Sequence, residues 1–400
     1  MNLIVAVLNI FAENPLPLCF IVTGLVDRIK FNRFEQLPID RDIKLTGCVT
    51  WVGKSSMEVS IQLQQAVYRP DLQKSLPSLQ SARTDAQLTS MYPPPDSFLT
   101  PYYPNSRPVV ALPPPGAQWR PVLEAHFLLM ARSAQDLSAF HVSELETPTA
   151  LERQVFEDGA ERTQMRKRFL DTSLSAPTGA EIEEVHRLFL ADLHNRPFSR
   201  LGVDARRAQQ LQRISGEDGA AAATIGETRM QSSFACHPEE RNLFNRMFGG
   251  FIMLKAAELA AACATAHCQR HVRLLAIDHF RFLRPVEIGT LLVLDAHVVY
   301  VTEAEAANEL HLTVCVNADS VNLPRGLRAA AAVQQGALVF AVDSAVAEKP
   351  PASASLSRIR RVHPDSYESA VMYLLGRRHY LQILDELQEP TLQMEMLTRD

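Results

Sequence analysis

Alternating apolar and polar residues occur in two separate parts of the chain and predict antiparallel strands with one covered face. In each part, a strand containing an aspartate comes before long alternating strands, and Asp27 and Asp278 occupy matching places. The same pattern of strands therefore occurs twice in the chain, which indicates a duplicated domain. The predicted strands cover residues 20–31, 42–64 and 122–133 in the first copy, and 273–302, 308–320 and 327–343 in the second.

Other segments differ from this pattern and define the organisation of the chain. Apolar residues three and four apart predict helices within 148–195 and 364–384. Residues 68–118 are rich in Pro, Ser and Tyr and predict a disordered insertion, although a proline-rich ligand is an alternative. The predicted domains are an atypical N-terminus (1–19), a first domain (20–147), a helical linker with a flexible joint (148–227), a second domain (228–343), and a linker with a C-terminal helix (344–400).

A helix that is apolar nearly all round is predicted to begin at Gly250. Only Lys255 and Glu258 interrupt its apolar surface over the first turns. Such a helix must be enclosed, and a sheet that curls round it would enclose it. The fold class predicted from the residues is therefore α+β, with long antiparallel sheets wrapped on a central helix.

The start of this helix carries the candidate chemistry. The pair Gly249-Gly250 lets a carbonyl oxygen approach bare backbone, where N–H groups and the positive end of the helix dipole could stabilise an oxyanion. Glu258 follows about two turns later, roughly 12 Å along the axis. Burial would raise the pKa of such a carboxyl group into the range that suits a general base. The alternative is a structural ion pair with Lys255 or an arginine.

Composition limits the possible partners and environments. The net charge of −5 and the absence of a basic stripe argue against a nucleic-acid partner. No apolar run reaches the length of a membrane span, so no span is predicted. The six cysteines lack paired spacings, which indicates buried free thiols in a reducing compartment. No cofactor and no metal site is predicted.

Four separated motifs in this sequence resemble the hotdog-fold acyl-CoA thioesterases, and most closely their mitochondrial double-hotdog group. These motifs are WVGKSSMEV (Trp51–Val59), RNLFNRMFGGFIMLKAAELA (Arg241–Ala260), AIDHFRFLRPVEIGTLL (Ala276–Leu292) and YESAVMYLLGRRHY (Tyr367–Tyr380). The resemblance extends from about residue 20 to residue 380. It implies a tandem (double) hotdog that hydrolyses fatty acyl-CoA to free acid and CoA.

The resemblance also assigns roles to particular residues. It implies that Asn242 orients the water or thioester, that the Gly250 amide polarises the carbonyl, and that Glu258 acts as general base or as a nucleophile through an anhydride. It matches Lys54, Ser55 and Ser56 to a stretch that could line the CoA groove, and Asp278 to a recurrent strand aspartate that is also a candidate substrate residue. The chemistry of the side chains adds Gly249 at the helix start, and Arg246 and Arg284 as candidate phosphate contacts, with Arg241 and Arg281 as further candidates. A mitochondrial location is implied, with the cytoplasm as the alternative because no clear leader is visible, and association of copies is expected.

One departure from the family pattern matters for the expected activity. The chain enters the pattern at about residue 20, so the first hotdog is predicted to lack its first strand and central helix. A partner acid expected from that helix then has no counterpart. An inactive acyl-CoA-binding protein is therefore the second hypothesis. A hotdog hydratase is a third, but the Asp-x-Asn-x-x-His arrangement it needs is not present in His237–Asn242.

Overall fold

The computed structural model describes residues 19–32, 41–67, 118–133, 135–136, 138–195, 223–242, 245–304, 309–322, 327–328, 334–342 and 359–388. Residues 68–117, which make up nearly all of the predicted disordered insertion, lie outside the described residues. The same holds for nearly all of the predicted N-terminal segment and for the joint before residue 223.

A ten-stranded antiparallel sheet confirms the strands predicted from alternation. The predicted run over 42–64 is two strands joined by a tight turn. The strands are β1 (Cys19–Phe31), β2 (Ile43–Val52), β3 (Ser56–Val67), β4 (Gln118–Ser133), β6 (Met230–Ala235), β7 (Val272–Phe282), β8 (Leu291–Ala304), β9 (Glu309–Asn322), β10 (Leu327–Arg328) and β11 (Gln334–Val342). Two short parallel strands, β5 (Ala223–Thr224) and β12 (Val362–His363), pair with each other.

Four helices complete the described structure: α1 (Ala150–Leu174), α2 (Gly179–Asn195), α3 (Gly249–Cys268) and α4 (Tyr367–Gln388). Local sequence explains where α1 and α2 begin. Thr149 accepts from the backbone N–H of Glu152, whose carboxylate accepts from the backbone N–H of Thr149. Thr178 and Glu181 make the same reciprocal pair at the start of α2. These capping boxes satisfy N–H groups that the first helical turn leaves without acceptors.

The order of the strands is the same in two halves of the sheet. The sheet runs β2-β3-β4-β1-β7-β11-β9-β8-β6, so β1 and β7 meet at the junction of two halves. The first half, β2-β3-β4-β1, has the same order as β8-β9-β11-β7 in the second half. Counterparts of β6 and α3 are not among the described residues of the first half. At the junction, Arg28 of β1 lies opposite Asp278 of β7.

Helices α3 and α4 cover opposite faces of the second half. Along β11, Leu338 and Phe340 belong to the core that includes α3, whereas Val339 packs with Tyr380 of α4. Successive residues of a strand point to opposite faces, so the two helices lie on different sides. By length and composition α3 could cross a membrane. Here, however, it is the core helix of the second half, with seven buried residues: Ile252, Ala256, Leu259, Ala260, Cys263, Ala264 and Cys268.

The described residues divide into two compact units. The smaller unit contains the strand ends 41–46, 63–67 and 118–122, and within it the Ala66 N–H donates to the Asp42 carbonyl over 2.9 Å. The larger unit contains the rest, including every residue discussed below.

The cysteines confirm the prediction of unpaired thiols. All six are free, and Cys236, Cys263, Cys268 and Cys315 are buried. Burial raises the pKa of Cys268 and of Cys315 to about 12, so both thiols stay protonated and unreactive near neutral pH. These side chains therefore act as small apolar residues in the core.

Candidate functional site

The double glycine marks the start of α3. The helix begins at Gly249, after an extended Phe248, and the first N–H groups of a helix have no acceptor within it. A Cβ atom on Gly249 would lie 2.7 Å from the ring of Phe282, and one on Gly250 would lie 2.6 Å from the ring of Phe248. The glycines therefore let two aromatic rings lie against the helix backbone, a packing role that the sequence did not predict.

A tight turn leads into this helix and contains the candidate residue Asn242. The Asn242 side-chain oxygen accepts from the backbone N–H of Arg246 over 3.1 Å, and its carbonyl accepts from the N–H of Asn245 over 3.1 Å. Asn245 has a φ of 55°, a conformation that asparagine tolerates better than most residues. The Glu240 carbonyl accepts from the N–H of Phe248 over 2.8 Å. The side-chain oxygen of Asn242 thus shapes the approach to α3.

A cleft of about 390 Å³ runs along one side of α3, between that helix and β6 with the short 3-10 helix Pro238–Glu240. The rings of Phe234 and Phe251 meet edge to face in its wall, with centroids 5.7 Å apart. Its remaining walls carry more acidic than basic groups: the lining includes Glu239, Glu240, Glu258, Lys255 and His237. An apolar floor with an acidic rim favours a neutral or apolar part of a ligand over its phosphates.

Glu258 lines this cleft but is not enclosed, so the prediction of a buried carboxylate is wrong. Its side chain is 54% exposed, and its carboxylate lies 3.0 Å from the Lys255 ammonium. The face of α3 that meets the sheet carries Ala256, Leu259 and Ala260, which leaves Glu258 at the edge of the buried stripe. The ion pair with Lys255, the alternative left open by the sequence, is present. A catalytic role for Glu258 remains a prediction.

The three candidates of the first half lie in the turn between β2 and β3. The Lys54 carbonyl accepts from the N–H of Val142, and the Ser55 carbonyl accepts from the N–H of Ala131, each over 2.9 Å. Ser56 closes the turn through its carbonyl, which accepts from the Gly53 N–H over 2.8 Å. These backbone contacts are structural: those of Lys54 and Ser55 tie the turn to β4 and the segment after it, and that of Ser56 closes the turn itself.

The two candidate arginines lie in exposed positions near the start of α3. Arg246 makes an ion pair of 3.0 Å with Glu287, and both side chains are largely exposed. Arg284 is exposed in the turn after β7. Neither residue lines the cleft. Exposed arginines at a cleft mouth could contact phosphate groups, but the structure does not assign them that task.

Asp278 lies at the centre of a buried group of charges, not at the start of α3. Arg28 donates to its Oδ1 from Nε over 3.1 Å and from Nη2 over 2.9 Å. The Nδ1 atom of His379, on α4, lies 2.7 Å from its Oδ2. Burial alone would raise the pKa of Asp278, but His279 and Arg28 outweigh it and hold this pKa well below the usual range. The carboxylate is therefore ionised and fully engaged.

A second buried carboxylate continues this group towards α1. Glu58 accepts from Arg162 and from Arg166, each over 2.7 Å, and from the Thr50 hydroxyl over 2.8 Å. Arg166 also lies 3.1 Å from Asp27. Burial would raise the pKa of Glu58, yet Arg162, His126 and Thr50 together outweigh burial and lower this pKa. Burial dominates at Asp27, whose pKa is raised despite Arg166.

We call this set the junction cluster; it comprises Asp27, Arg28, Glu58, Arg162, Arg166, Asp278, His279 and His379. Sequence reasoning singled out only its two aspartates, from their matching places in the duplicated pattern. Three other members, Glu58, His279 and His379, lie within the motifs quoted above, but the sequence analysis gave them no role. One available signal was Glu58 itself, a charged residue between the apolar Met57 and Val59 of a strand that is covered on both faces. Buried charges are paired, so such a residue predicts a partner.

Comparisons with known proteins find similarity to thioesterases. Residues 244–305 match the family model described as the thioesterase superfamily. Human mitochondrial acyl-coenzyme A thioesterase 9 is 27% identical over 90% of this chain and 64% of its own length. Mouse mitochondrial acyl-coenzyme A thioesterase 10 is 30% identical over 70% of this chain and 50% of its own length. The chain thus spans about two thirds or less of these relatives.

Solved structures give a weaker similarity. An acyl-CoA hydrolase from Staphylococcus aureus, in complex with butyryl coenzyme A, coenzyme A and coenzyme A disulfide, is 19% identical. The alignment covers 45% of this chain and 100% of that one, with a TM-score of 0.35.

Proposed function

We propose that this chain, whose predicted resemblance to the hotdog thioesterases is confirmed by sequence similarity over 90% of its length, hydrolyses fatty acyl-CoA to a fatty acid and CoA. The observation that carries the proposal is the start of α3. There, backbone N–H groups without helical acceptors immediately precede Phe251, which lines the cleft that contains Glu258.

The reaction follows from what these groups can do. The thioester carbonyl oxygen accepts from the Gly250 N–H, which stabilises the negative charge that forms when water adds to the carbonyl carbon. Glu258 takes the proton from that water, the C–S bond breaks, and CoA leaves as a thiol after it regains a proton. Asn242 shapes the turn that sets the position of the first helical amide. In the alternative route, Glu258 attacks the carbonyl itself and water then cleaves the anhydride.

The cleft indicates which part of the substrate it accommodates. Phe234, Phe251 and Leu259 offer an apolar surface that suits the acyl chain or the pantetheine arm. The phosphates would stay outside the acidic rim, where Arg246, Arg284 and Lys54 are candidates to meet them. Ser55, Ser56 and Gly249 complete the proposed set of substrate residues. Asp278, which the sequence also placed near the substrate, is fully buried beside Arg28 and His379 and is left out of this set.

We further propose the architecture of a double hotdog with an incomplete first half. The equal strand order of the two halves supports it, and so do the missing counterparts of β6 and α3 among the described residues. The relatives at 27% and 30% identity are named as mitochondrial, and a mitochondrial location is proposed for this chain on that basis. Association of copies is proposed because hotdog domains commonly assemble.

One rival function has a specific observation in its favour. Glu258 is exposed and paired with Lys255, which is a poor environment for a general base. A chain that binds acyl-CoA through the same cleft without hydrolysing it would show this arrangement. The first half would then serve only to complete the sheet.

Release of CoA thiol from butyryl-CoA and palmitoyl-CoA distinguishes these functions. We expect turnover in the wild-type chain, and a loss of about 10²-fold in kcat for Glu258→Gln, the usual scale for a general base. Asn242→Asp keeps an oxygen for the turn and should retain more activity than Asn242→Ala. Glu368→Gln, at an exposed glutamate of α4, is the matched control. Saturable acyl-CoA binding without thiol release would favour the inactive protein.

A further inference from the structure

Three potential metal ligands converge in the junction cluster. The Oδ2 atom of Asp278 lies 2.7 Å from Nδ1 of His379 and 3.0 Å from Nδ1 of His279. One ligand atom from each of the three residues lies within 4.8 Å of the other two. Imidazole nitrogens and a carboxylate oxygen are ligands that Zn²⁺ accepts. We propose that Asp278, His279 and His379 bind a structural Zn²⁺ ion, although the sequence alone predicted no metal site.

The two separations that involve Asp278 require only small movements. Zinc bonds of about 2.0–2.2 Å would place neighbouring tetrahedral ligand atoms roughly 3.3 Å apart. The two separations from the Asp278 oxygen are shorter than this by less than an ångström. A small cavity of about 50 Å³ lies against both imidazoles and gives the rings room to move apart.

His279 gives an independent reason to expect a ligand. Its side chain is 3% exposed, yet neither ring nitrogen makes a hydrogen bond of acceptable geometry with the described residues. Buried polar atoms normally have partners, so two such nitrogens in one ring are unusual. Its backbone φ of 48° is also rare outside glycine, and strained residues of this kind cluster at functional sites. A metal ion at Nδ1 would satisfy the first nitrogen.

The residues around these three match the outer shell of a zinc site. A ligating histidine usually directs its other nitrogen to a carboxylate, and a ligating carboxylate is itself hydrogen-bonded. Nε2 of His279 lies 3.6 Å from Asp27, which Arg166 holds on its other side. Oδ1 of Asp278 accepts from Arg28, which leaves Oδ2 to face the imidazoles. Arg28 therefore positions the carboxylate of Asp278, and Asp27 lies beside the outer nitrogen of His279.

A fourth ligand position is available in the same cavity. The cavity volume of about 50 Å³ is enough for one water molecule, whose share of liquid volume is about 30 Å³. Asn317 lines this cavity, and its buried Oδ1 makes no hydrogen bond with the described residues. It could accept a hydrogen bond from a zinc-bound water. The space is too small for an acyl-CoA, so the ion would fasten α4 to β7 instead of binding substrate.

This site is separate from the cleft of the proposed function, because α4 and α3 lie on opposite faces of the sheet. Its test therefore does not depend on catalysis. The full-length chain is stripped with a chelator, dialysed and titrated with zinc sulfate, and the zinc that remains after desalting is measured by mass spectrometry. We expect about one equivalent of zinc per chain and a higher Tm with zinc than without, since binding to the folded state stabilises it.

The variants His279→Ala and His379→Ala should each lose the bound zinc and its effect on Tm. Because alanine at position 379 also removes a hydrogen bond to Asp278, His379→Gln is the second variant; it keeps a donor but is a poor zinc ligand. His271→Ala, an exposed histidine just before β7, is the matched control and should bind as the wild type does.

Two outcomes would overturn the proposal. One is a wild-type chain that retains no zinc after desalting. The other is equal zinc content in the wild type and in the His279 and His379 variants. Either result would mean that His279 packs between the carboxylates of Asp27 and Asp278 without a metal ion. CoA release by the same preparations would be unaffected by this result, which keeps the two proposals distinguishable.

Discussion

Glu58 and Glu258 are the same residue type in opposite environments. Glu58 has a fully buried side chain and accepts from Arg162, Arg166 and Thr50. Glu258 is 54% exposed and has one lysine partner on its own helix. The first fastens α1 to β3, whereas the second faces a cleft. This difference indicates that the buried charges connect helices to the sheet, whereas the exposed charges are accessible to a substrate.

The same contrast separates the junction cluster from the start of α3 as a whole. In the cluster, Arg162 lowers the pKa of Glu58, and His279 with Arg28 lowers that of Asp278, so these carboxylates carry fixed charges. At the cleft, the acids lie at a rim where solvent and ligand can reach them. A substitution should therefore change stability in the first region and turnover in the second.

The largest expected effect comes from breaking the buried arrangement. Glu58→Gln removes a charge that two arginines need, and uncompensated buried charges cost about 3–5 kcal/mol. We expect the free energy of unfolding, measured by urea titration, to fall by that amount. Glu258→Gln is the matched control, and its exposed pair should change stability by less than about 1 kcal/mol. Equal effects in the two variants would contradict the comparison.

The buried region should also make the stability of the protein depend on pH, through His126, which lies beside Glu58. Burial lowers its pKa from 6.5 to about 4. Between these values the unfolded chain binds more protons than the folded one, so stability falls as the pH drops from 6.5 to 4. One such group adds a slope of at most about 1.4 kcal/mol per pH unit.

Urea titrations across this pH range would detect that slope. We expect His126→Gln to make it shallower, because the variant has no imidazole to protonate in the unfolded chain. His141→Gln, at an exposed histidine, should leave the slope as it is in the wild type. A wild-type slope in the His126 variant would show that other groups set the acid sensitivity.

The start of α3 can be tested through its glycines. Gly249→Ala would place a Cβ atom 2.7 Å from the Phe282 ring, and forced overpacking costs about 1–3 kcal/mol. We expect that loss of stability together with a lower kcat, because the helix start must shift. At Gly179 of α2 an added Cβ meets nothing within 4 Å, so Gly179→Ala should leave both quantities nearly unchanged.

The smallest effect is expected at the exposed arginines. If Arg284 meets a CoA phosphate, Arg284→Ala should raise KM for acyl-CoA by roughly 2–5-fold, the scale of an exposed ion pair. KM for an acyl-pantetheine substrate without the nucleotide should not change. Arg153→Ala, at an exposed arginine of α1, is the control. An equal rise for both substrates would remove Arg284 from phosphate binding.

The sequence predicted the strands well because their period of two is visible in every alternating segment. It also located the start of α3 from the double glycine. It predicted the wrong environment for Glu258, since a helix that is apolar nearly all round does not show which side meets the sheet. The burial of its neighbours Ala256 and Leu259 settled that orientation only in three dimensions.

The junction cluster could not be predicted because its partners are far apart in sequence. Arg28 and Asp278 are 250 positions apart, and Arg162 and Glu58 are 104 apart. No local spacing indicates which strands meet at the centre of the sheet. The matching places of Asp27 and Asp278 did indicate a duplicated pattern, but not that the two strands lie side by side.

The pairing of β1 with β7 also affects how the chain is made. Strand β1 leaves the ribosome about 250 residues before its neighbour, which at about 5–20 residues per second is roughly 12–50 s. During that interval one edge of the first half has no strand to pair with, and exposed edges invite association with other chains. Nascent copies of this protein should therefore depend on chaperones more than a chain with only local strand pairing.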